Sequence, residues 1–146
     1  MNPIAPSETR IRVRYAETDQ MGVVYYANYF IWCEIGRVEF LRALGFDYKQ
    51  MELTDDCHLP VVEANCRYRA PARYDDNVVL ETSVTAMRRS VIKFGYRLFR
   101  EEEGGKRKLL AEAETVHVVV DRGFEKRALP EKYLVPIRGT MRPVQG

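Results

Sequence analysis

The sequence predicts an α+β fold in which one long helix packs against an antiparallel sheet of about five strands. Apolar residues recur at helical spacing in a single long stretch, from about Ala27 to Leu44. The residues after it change to a period of two in four successive runs, and one more alternating run precedes the helix. Short connections between successive strands favour antiparallel pairing, because parallel pairs need long crossovers. One helix that covers one face of such a sheet is a layered α+β architecture.

Regular structure is predicted to begin with a strand, which is followed by the helix. Ile11, Val13 and Tyr15 alternate with arginines, which indicates a half-buried strand. The helix has one continuous apolar face, formed by Tyr29, Cys33, Gly36, Phe40 and Leu44. A glycine inside a helix costs about 1 kcal/mol relative to alanine, so Gly36 predicts a close approach of the helix backbone to the sheet. Gly45 is placed to end the helix.

Four further alternating runs predict the other strands. They cover residues 62–70, 78–86, 92–98 and 110–120. Turn-forming residues separate them at 71–76, 88–90 and 102–106. Because the helix lies between the first strand and the others, we expect the sheet to wrap around it. The uncovered sheet face and edges predict self-association.

Length and charge bound the class of protein. A chain of 146 residues suits a single domain over 1–146, and we expect loose ends at about 1–9 and 138–146. The hydrophobic fraction is 46% and the charged fraction 30%, an ordinary globular balance. The net charge of +2 comes from 23 basic and 21 acidic side chains that are interleaved, which argues against nucleic-acid binding.

Cysteine and histidine usage argues against a metal site or a disulfide framework. The three cysteines, Cys33, Cys57 and Cys66, include no C-x-x-C pair, and His58 and His117 lack metal-ligand spacing. No apolar leader segment and no run of roughly 18 apolar residues is present, so we expect no membrane insertion. A reducing, cytoplasmic location is the resulting expectation.

The candidate functional segment lies between the first strand and the helix, at residues 14–29. A helix N-terminus presents free backbone N–H groups, which can stabilise an oxyanion on an attacked carbonyl. A carboxylate beside that point, such as Asp19, could act on the same carbonyl carbon directly or through water. Gly22 permits a tight approach. An aspartate in a Thr-Asp-x-x-Gly turn more often satisfies local N–H groups, however, so spacing alone leaves both interpretations open.

A family resemblance favours the catalytic interpretation. Residues 15–29 read Tyr-x-Glu-Thr-Asp-x-x-Gly-Val-Val-Tyr-Tyr-x-Asn-Tyr, and Glu-x-x-Arg-x-Glu-x-Leu-Arg follows at 34–42. The segments Leu-Pro-Val-Val-Glu at 59–63 and Tyr-x-Ala-Pro-Ala at 68–72 come next, with a Leu-Pro-Glu-Lys tail at 129–132. This series closely resembles the 4-hydroxybenzoyl-CoA thioesterase family, and in particular its Tol–Pal-linked subgroup of bacterial acyl-CoA thioesterases.

The resemblance implies a hotdog fold, hydrolysis of acyl-CoA without a cofactor or metal, and dimers or tetramers with active sites at the dimer interface. It places the catalytic carboxylate at Asp19, as nucleophile or as general base. It places the N–H that polarises the thioester carbonyl at Tyr26, where many members of the Tol–Pal-linked subgroup have histidine. Gly22 and Val24 are predicted to contact the substrate.

The predicted turn at Arg88, Arg89 and Ser90 is the candidate site for the phosphates of CoA, because arginine side chains bind phosphate oxygens well. Glu34 could touch the pocket, although an ion pair is the more ordinary role for it. Two other functions stay open. One is hydrolysis of thioesters on acyl carrier protein, and the other is a non-catalytic module that binds acyl thioesters. Acyl-chain length and the choice between aryl and aliphatic groups are not determined by these residues.

Overall fold

The computed structural model describes residues 7–141, which form one antiparallel sheet and three α-helices. The strands are β1 (Ser7–Arg12), β2 (Val61–Tyr68), β3 (Asn77–Arg88), β4 (Val91–Glu101) and β5 (Arg107–Val118). The helices are α1 (Asn28–Ala43), α2 (Tyr48–Leu53) and α3 (Glu131–Gly139). The strand order is β1-β3-β4-β5-β2, and every neighbouring pair is antiparallel. The predicted α+β class, with five strands and one long helix, is confirmed.

Helix α1 crosses the inner face of the sheet and forms the centre of the core. Trp32, Cys33 and Leu41 are fully buried on its inner side. A Cβ atom at Gly36 would lie 2.5 Å from Thr82 Oγ1 and 2.6 Å from Leu80 Cδ2, both on β3. Glycine is therefore needed here because the helix backbone contacts the sheet, as the sequence predicted.

Strands β3 and β4 show the predicted alternation. On β3 the inward residues Val78, Leu80, Thr82 and Val84 are buried, and on β4 the inward residues Ile92, Phe94, Tyr96 and Leu98 are buried. Residues between them on β3, such as Glu81 and Ser83, are only partly buried on the outer face. The period of two in the sequence thus identifies the side chains on the face of the sheet that packs against α1.

Strand β2 departs from its predicted half-buried pattern. Val62 is 59% exposed and Tyr68 is 44% exposed, and most of the strand is open to solvent. The reason is its place at the edge of the sheet, where it pairs with β5 alone. Val62 and Ala64 are therefore left uncovered by residues 7–141, whereas Cys66 packs against the core and the Tyr68 ring contacts Tyr29.

The two ends of the described chain are more ordered than the predicted loose ends suggest. Residues 7–9 belong to β1 and pair with β3, and residues 138–139 belong to α3. Ile137 is fully buried, and Lys132 Nζ lies 2.8 Å from Asp55 Oδ1. Residues 1–6 and 142–146, the rest of the predicted loose ends, lie outside the described residues.

Two local assignments also differ from the sequence prediction. Tyr15 does not continue β1 but begins a 3₁₀ turn over Tyr15–Glu17, and its side chain is 77% exposed. The helices α2 and α3 were not predicted, because α2 has six residues and α3 contains Pro136. Within residues 7–141, no helix is long and apolar enough to cross a membrane.

Candidate active site

Asp19 lies in a tight loop between the 3₁₀ turn and α1. Its N–H donates to the Val23 carbonyl at 2.9 Å, and its own carbonyl accepts the Gly22 N–H at 3.0 Å. Its carboxylate Oδ1 accepts the Met21 N–H at 2.9 Å. The other carboxylate oxygen, Oδ2, accepts no hydrogen bond from any residue between 7 and 141. The hydrogen bond to Oδ1 therefore orients the carboxylate, while Oδ2 has no hydrogen-bond partner among these residues.

Tyr26 lies two residues before the first residue of α1. Among the hydrogen bonds of the described residues, none has the Tyr26 N–H as its donor. Its carbonyl, by contrast, accepts the hydroxyl of Tyr68 at 2.9 Å and the N–H of Tyr29 at 3.3 Å. Tyr26 is thus held through its carbonyl, while its N–H, in the preceding peptide, has no partner among residues 7–141 at the positive end of the helix.

The loop that joins these two groups is closed by backbone hydrogen bonds. Gly22 has φ of +79°, a left-handed conformation that favours glycine. Thr18 and Val24 form an isolated antiparallel bridge, and the Val24 N–H donates to the Ala72 carbonyl at 2.8 Å. The Val24 side chain is only 5% exposed, so burial leaves little of it to contact a substrate. Val24 anchors the loop to the chain segment before β3.

Glu17 is a buried carboxylate that sequence reasoning missed. It is 5% exposed, and its Oε2 accepts the indole N–H of Trp32 at 2.8 Å. Its Oε1 accepts the Arg14 N–H at 2.8 Å. Its backbone carbonyl accepts the Tyr25 N–H at 2.9 Å and a side-chain N–H of Asn28 at 2.8 Å. One residue thus fastens both the strand side and the helix side of the Asp19 loop.

Electrostatics keep Glu17 ionised. Burial alone raises its pKa, but hydrogen bonds from the Arg14 amide and the Trp32 indole, together with the Arg14 charge, outweigh burial and hold the pKa below its usual range. The neighbouring Tyr25 has a raised pKa, first because of its hydroxyl contact with Tyr26 and also because of the Asp19 carboxylate. The Asp19 carboxylate therefore lies close enough to Tyr25 to contribute to its raised pKa.

Arg88, Arg89 and Ser90 do not join this site within one chain. They lie at the far end of β3, whereas the Asp19 loop is fastened near the start of that strand through Ala72. The 12 residues of β3, at about 3.3 Å each, separate its ends by roughly 35 Å. The backbone of the turn is fixed, because the Arg89 carbonyl accepts the Leu129 N–H at 3.0 Å. Both arginine side chains are exposed.

A cavity of about 480 Å³ opens beside α1. Its polar lining includes Glu34, Arg37, Tyr48 and His58, and its apolar lining includes Leu59 and Phe124. Glu34 lines this cavity and forms no salt bridge with any residue between 7 and 141, and an ion pair of Glu34 with another copy of the chain stays a prediction. A larger groove on the sheet, around Gly95, includes neither Asp19 nor Tyr26.

The fold and this loop together define a hotdog protein with a free carboxylate oxygen and a free N–H at the start of its central helix. Residues 21–106 match the family described as the thioesterase superfamily. A putative acyl-CoA thioesterase of Bacillus subtilis, YneP, is 37% identical over 116 residues, which is 80% of each chain. The acyl-CoA thioester hydrolase YbgC of Escherichia coli O6:H1 is 35% identical over 129 residues, 88% of this chain and 92% of that protein.

The structure of 4-hydroxybenzoyl-CoA thioesterase from Pseudomonas sp. strain CBS-3 superimposes with a TM-score of 0.82, over 91% of this chain and 99% of that one. At 22% identity this likeness supports the fold alone. The chain belongs to the thioesterase superfamily and is a thioester hydrolase. The predicted hotdog fold and the family resemblance are both confirmed.

Proposed function

We propose that this protein hydrolyses acyl-CoA to a free acid and CoA, with Asp19 and the Tyr26 N–H as its catalytic groups. The observation that carries the proposal is their arrangement in one closed loop. A carboxylate oxygen and an amide N–H, both without partners in residues 7–141, stand at the two ends of the segment that leads into α1. The relatives named acyl-CoA thioesterases support CoA as the carrier of the acyl group.

The Tyr26 N–H would donate to the thioester oxygen, which gains negative charge when the carbonyl carbon is attacked. Asp19 Oδ2 would either attack that carbon itself or take a proton from an attacking water molecule. In the first case a mixed anhydride forms, the C–S bond breaks, and water then cleaves the anhydride. In the second case water adds directly and the CoA thiolate leaves. Neither route uses a metal or a cofactor, and we propose none.

The cavity beside α1 is the proposed site for the acyl group. Glu34 is eight residues after Tyr26, a distance of about 12 Å along a helix axis. An acyl chain whose carbonyl accepts a hydrogen bond from the Tyr26 N–H could therefore extend along α1 to the cavity. The mixed lining, with Arg37 and Tyr48 beside Leu59, suits an acyl group with an apolar body and a polar end.

A second copy of the chain is proposed to complete the site. Several apolar side chains near the site are at least 40% exposed, namely Tyr25, Tyr26, Ile31, Ile35, Val61, Val62 and Tyr68. Apolar groups in such a patch, next to an open sheet edge, favour association. Because Arg88 and Arg89 lie too far from Asp19 within one chain, the CoA phosphates would be bound by the turn of another copy. Assembly as a homodimer or homotetramer follows from this arrangement.

Location and pathway remain predictions. Cys33 and Cys57 are buried thiols, and none of the three cysteines is in a disulfide, as a reducing cytoplasm would maintain. Membership in the Tol–Pal-linked subgroup likewise stays a prediction from the family resemblance.

The direct test is thiol release from a panel of acyl-CoA esters that includes short aliphatic, long-chain and aryl acyl groups. Turnover of any ester by the purified full chain supports the proposal and identifies the acyl class. Absence of turnover on every CoA ester, with turnover of the same acyl groups on acyl carrier protein, would replace CoA by that carrier. Tight binding without turnover on either carrier would instead indicate a non-catalytic binding module.

The role of the turn predicts a selective effect of Arg88→Ala/Arg89→Ala. We expect KM for acyl-CoA to rise about tenfold, the equivalent of roughly one charge-assisted hydrogen bond, with kcat unchanged. Hydrolysis of the matching acyl-pantetheine, which lacks the nucleotide phosphates, should not change. Arg138→Ala, at an exposed arginine of α3, serves as the matched control.

Co-expression distinguishes a site shared between copies from a site within one chain. An Asp19→Asn chain mixed with an Arg88→Ala/Arg89→Ala chain should form dimers in which one site has every group intact. Recovery of the wild-type KM in the mixed dimer is the expected result. A mixed dimer that retains only the raised KM would show that both groups act within one chain.

A further inference from the structure

A chain of four hydrogen bonds crosses the buried core between α1 and the segment that leads into β2. Arg37 Nη1 donates to the Tyr96 hydroxyl at 3.1 Å, and that hydroxyl lies 2.8 Å from Thr115 Oγ1. Thr115 Oγ1 lies 2.8 Å from His117 Nε2, and His117 Nδ1 lies 2.8 Å from the Leu59 carbonyl oxygen. His117 and Thr115 are 0% and 2% exposed. We call these five residues the core relay.

The two ends of the core relay determine its direction. A guanidinium only donates and a carbonyl oxygen only accepts. Tyr96 accepts from Arg37 and so donates to Thr115, which in turn donates to His117 Nε2. His117 is thereby held neutral with its proton on Nδ1, from which it donates to Leu59. Each of the four hydrogen bonds has a donor and an acceptor in only one arrangement of protons, while Arg37 Nε, which is also buried, has no partner among residues 7–141.

Both ends of the core relay belong to the lining of the cavity beside α1. Arg37 lines it from α1, and Leu59 lines it from the chain segment before β2, next to Pro60. These two walls are separate elements of the chain, and the core relay joins them through β4 and β5. A shift of either wall would leave a buried polar atom without its partner, which is costly.

We propose that Thr115 and His117 are positioning residues that set the width of the cavity and thereby the choice of acyl group. The proposal rests on the proposed function for the acyl site, but not on the identity of the catalytic carboxylate. Neither residue touches the reacting atoms. They act through Arg37 and Leu59, so their loss should alter acyl selectivity more than the chemical step.

Thr115→Val tests this, because valine has nearly the same shape and lacks the hydroxyl. For the acyl-CoA that the wild type prefers, we expect KM to rise about tenfold while kcat changes less than twofold. Acetyl-CoA, whose acyl group is too short to reach Glu34, should show no such change. Thr82→Val is the matched control, since Thr82 is equally buried on β3 and its hydroxyl has no hydrogen-bond partner among residues 7–141.

A second readout does not require enzymatic activity. In the ¹⁵N-labelled wild-type protein, NMR of the His117 ring should show a neutral imidazole protonated at Nδ1. The opposite tautomer would overturn the core relay. Equal KM changes for acetyl-CoA and the preferred ester in Thr115→Val would overturn its role in selectivity. If the wild type hydrolyses no CoA ester, the proposed function fails while the tautomer measurement still tests the core relay.

Acid should weaken the folded state through His117. Burial, assisted by the nearby Arg37 charge and opposed by the Leu59 carbonyl, lowers the pKa of His117 from 6.5 to about 4. The other groups against the ring are both uncharged, namely the Thr115 hydroxyl, 2.8 Å from Nε2, and the Phe94 ring, 5.3 Å away. As the pH falls, the histidine of the unfolded chain is protonated before that of the folded chain. The contribution of neutral His117 to the free energy of unfolding is therefore fully present above pH 6.5 and is lost as the pH falls towards 4.

We therefore expect the urea midpoint of the wild type to fall between pH 6.5 and pH 4. In His117→Leu the midpoint should be lower at pH 7 but should change much less over the same range. Parallel pH profiles for the two proteins would contradict the buried neutral histidine.

Discussion

Replacing Asp19 with asparagine is expected to lower kcat for acyl-CoA hydrolysis at least about a hundredfold, which corresponds to about 3 kcal/mol of barrier. Asparagine retains an Oδ1 that can accept the Met21 N–H, so the loop should keep its shape. It has no charged oxygen to attack a thioester carbon or to take a proton from water. The loss should therefore appear in kcat, with KM nearly unchanged.

Asp47→Asn is the matched control. Asp47 also lies in a loop before a helix, and its Oδ1 accepts the Lys49 N–H at 2.9 Å, as Asp19 Oδ1 does with Met21. Asparagine caps a helix about as well as aspartate, so this variant should fold and turn over normally. Equal turnover by Asp19→Asn and the wild type would remove Asp19 from the mechanism. A loss in both variants would point to a general effect of carboxylate removal.

Replacing Gly36 with valine is expected to destabilise the fold by about 3 kcal/mol or more. The first added carbon would already lie 2.5 Å from Thr82 Oγ1 and 2.6 Å from Leu80 Cδ2. Inserting atoms into a packed core typically costs about 1–3 kcal/mol, and valine brings three carbons. The better helix propensity of valine offsets less than about 1 kcal/mol of this. Urea unfolding, with the change read from the midpoint at constant slope, measures the effect.

A graded series makes this prediction specific to the helix–sheet contact. Gly36→Ala should lie between the wild type and Gly36→Val. Gly139→Ala should be neutral or stabilising, because a Cβ atom there meets no atom of residues 7–141 within 4 Å. Gly36→Val with the stability of the wild type would show that α1 does not rest on β3 as described.

Much of the fold could be predicted from local patterns. The period of two identified the sheet strands, and the spacing of three and four identified α1 to within a residue at each end. Even the close contact of α1 with the sheet at Gly36 was predicted. Glycine destabilises a helix, so its presence there indicated that the helix backbone lies against another element. These features depend on residues that are close together in the chain. Over such short distances, backbone geometry alone determines the face to which each side chain points.

The candidate site was predictable only in part. Asp19 and Tyr26 lie seven residues apart in one recognisable motif, and the structure places both in the same closed loop. Glu17 and Trp32, which fix that loop, are 15 residues apart with no spacing that relates them. Arg88 and Arg89 were assigned to the site because arginines at a turn can bind phosphate, yet the length of β3 places them at the other end of that strand.

The sequence by itself thus determined the class of fold, the order of its elements and the segment that carries the candidate chemistry. Only the tertiary structure decided which buried polar groups meet. His117 and Leu59 are 58 residues apart, and Arg37 and Tyr96 are 59 apart. Local pattern reports which face of an element is buried, but the partner of a buried polar atom depends on strand register and on how α1 lies across the sheet.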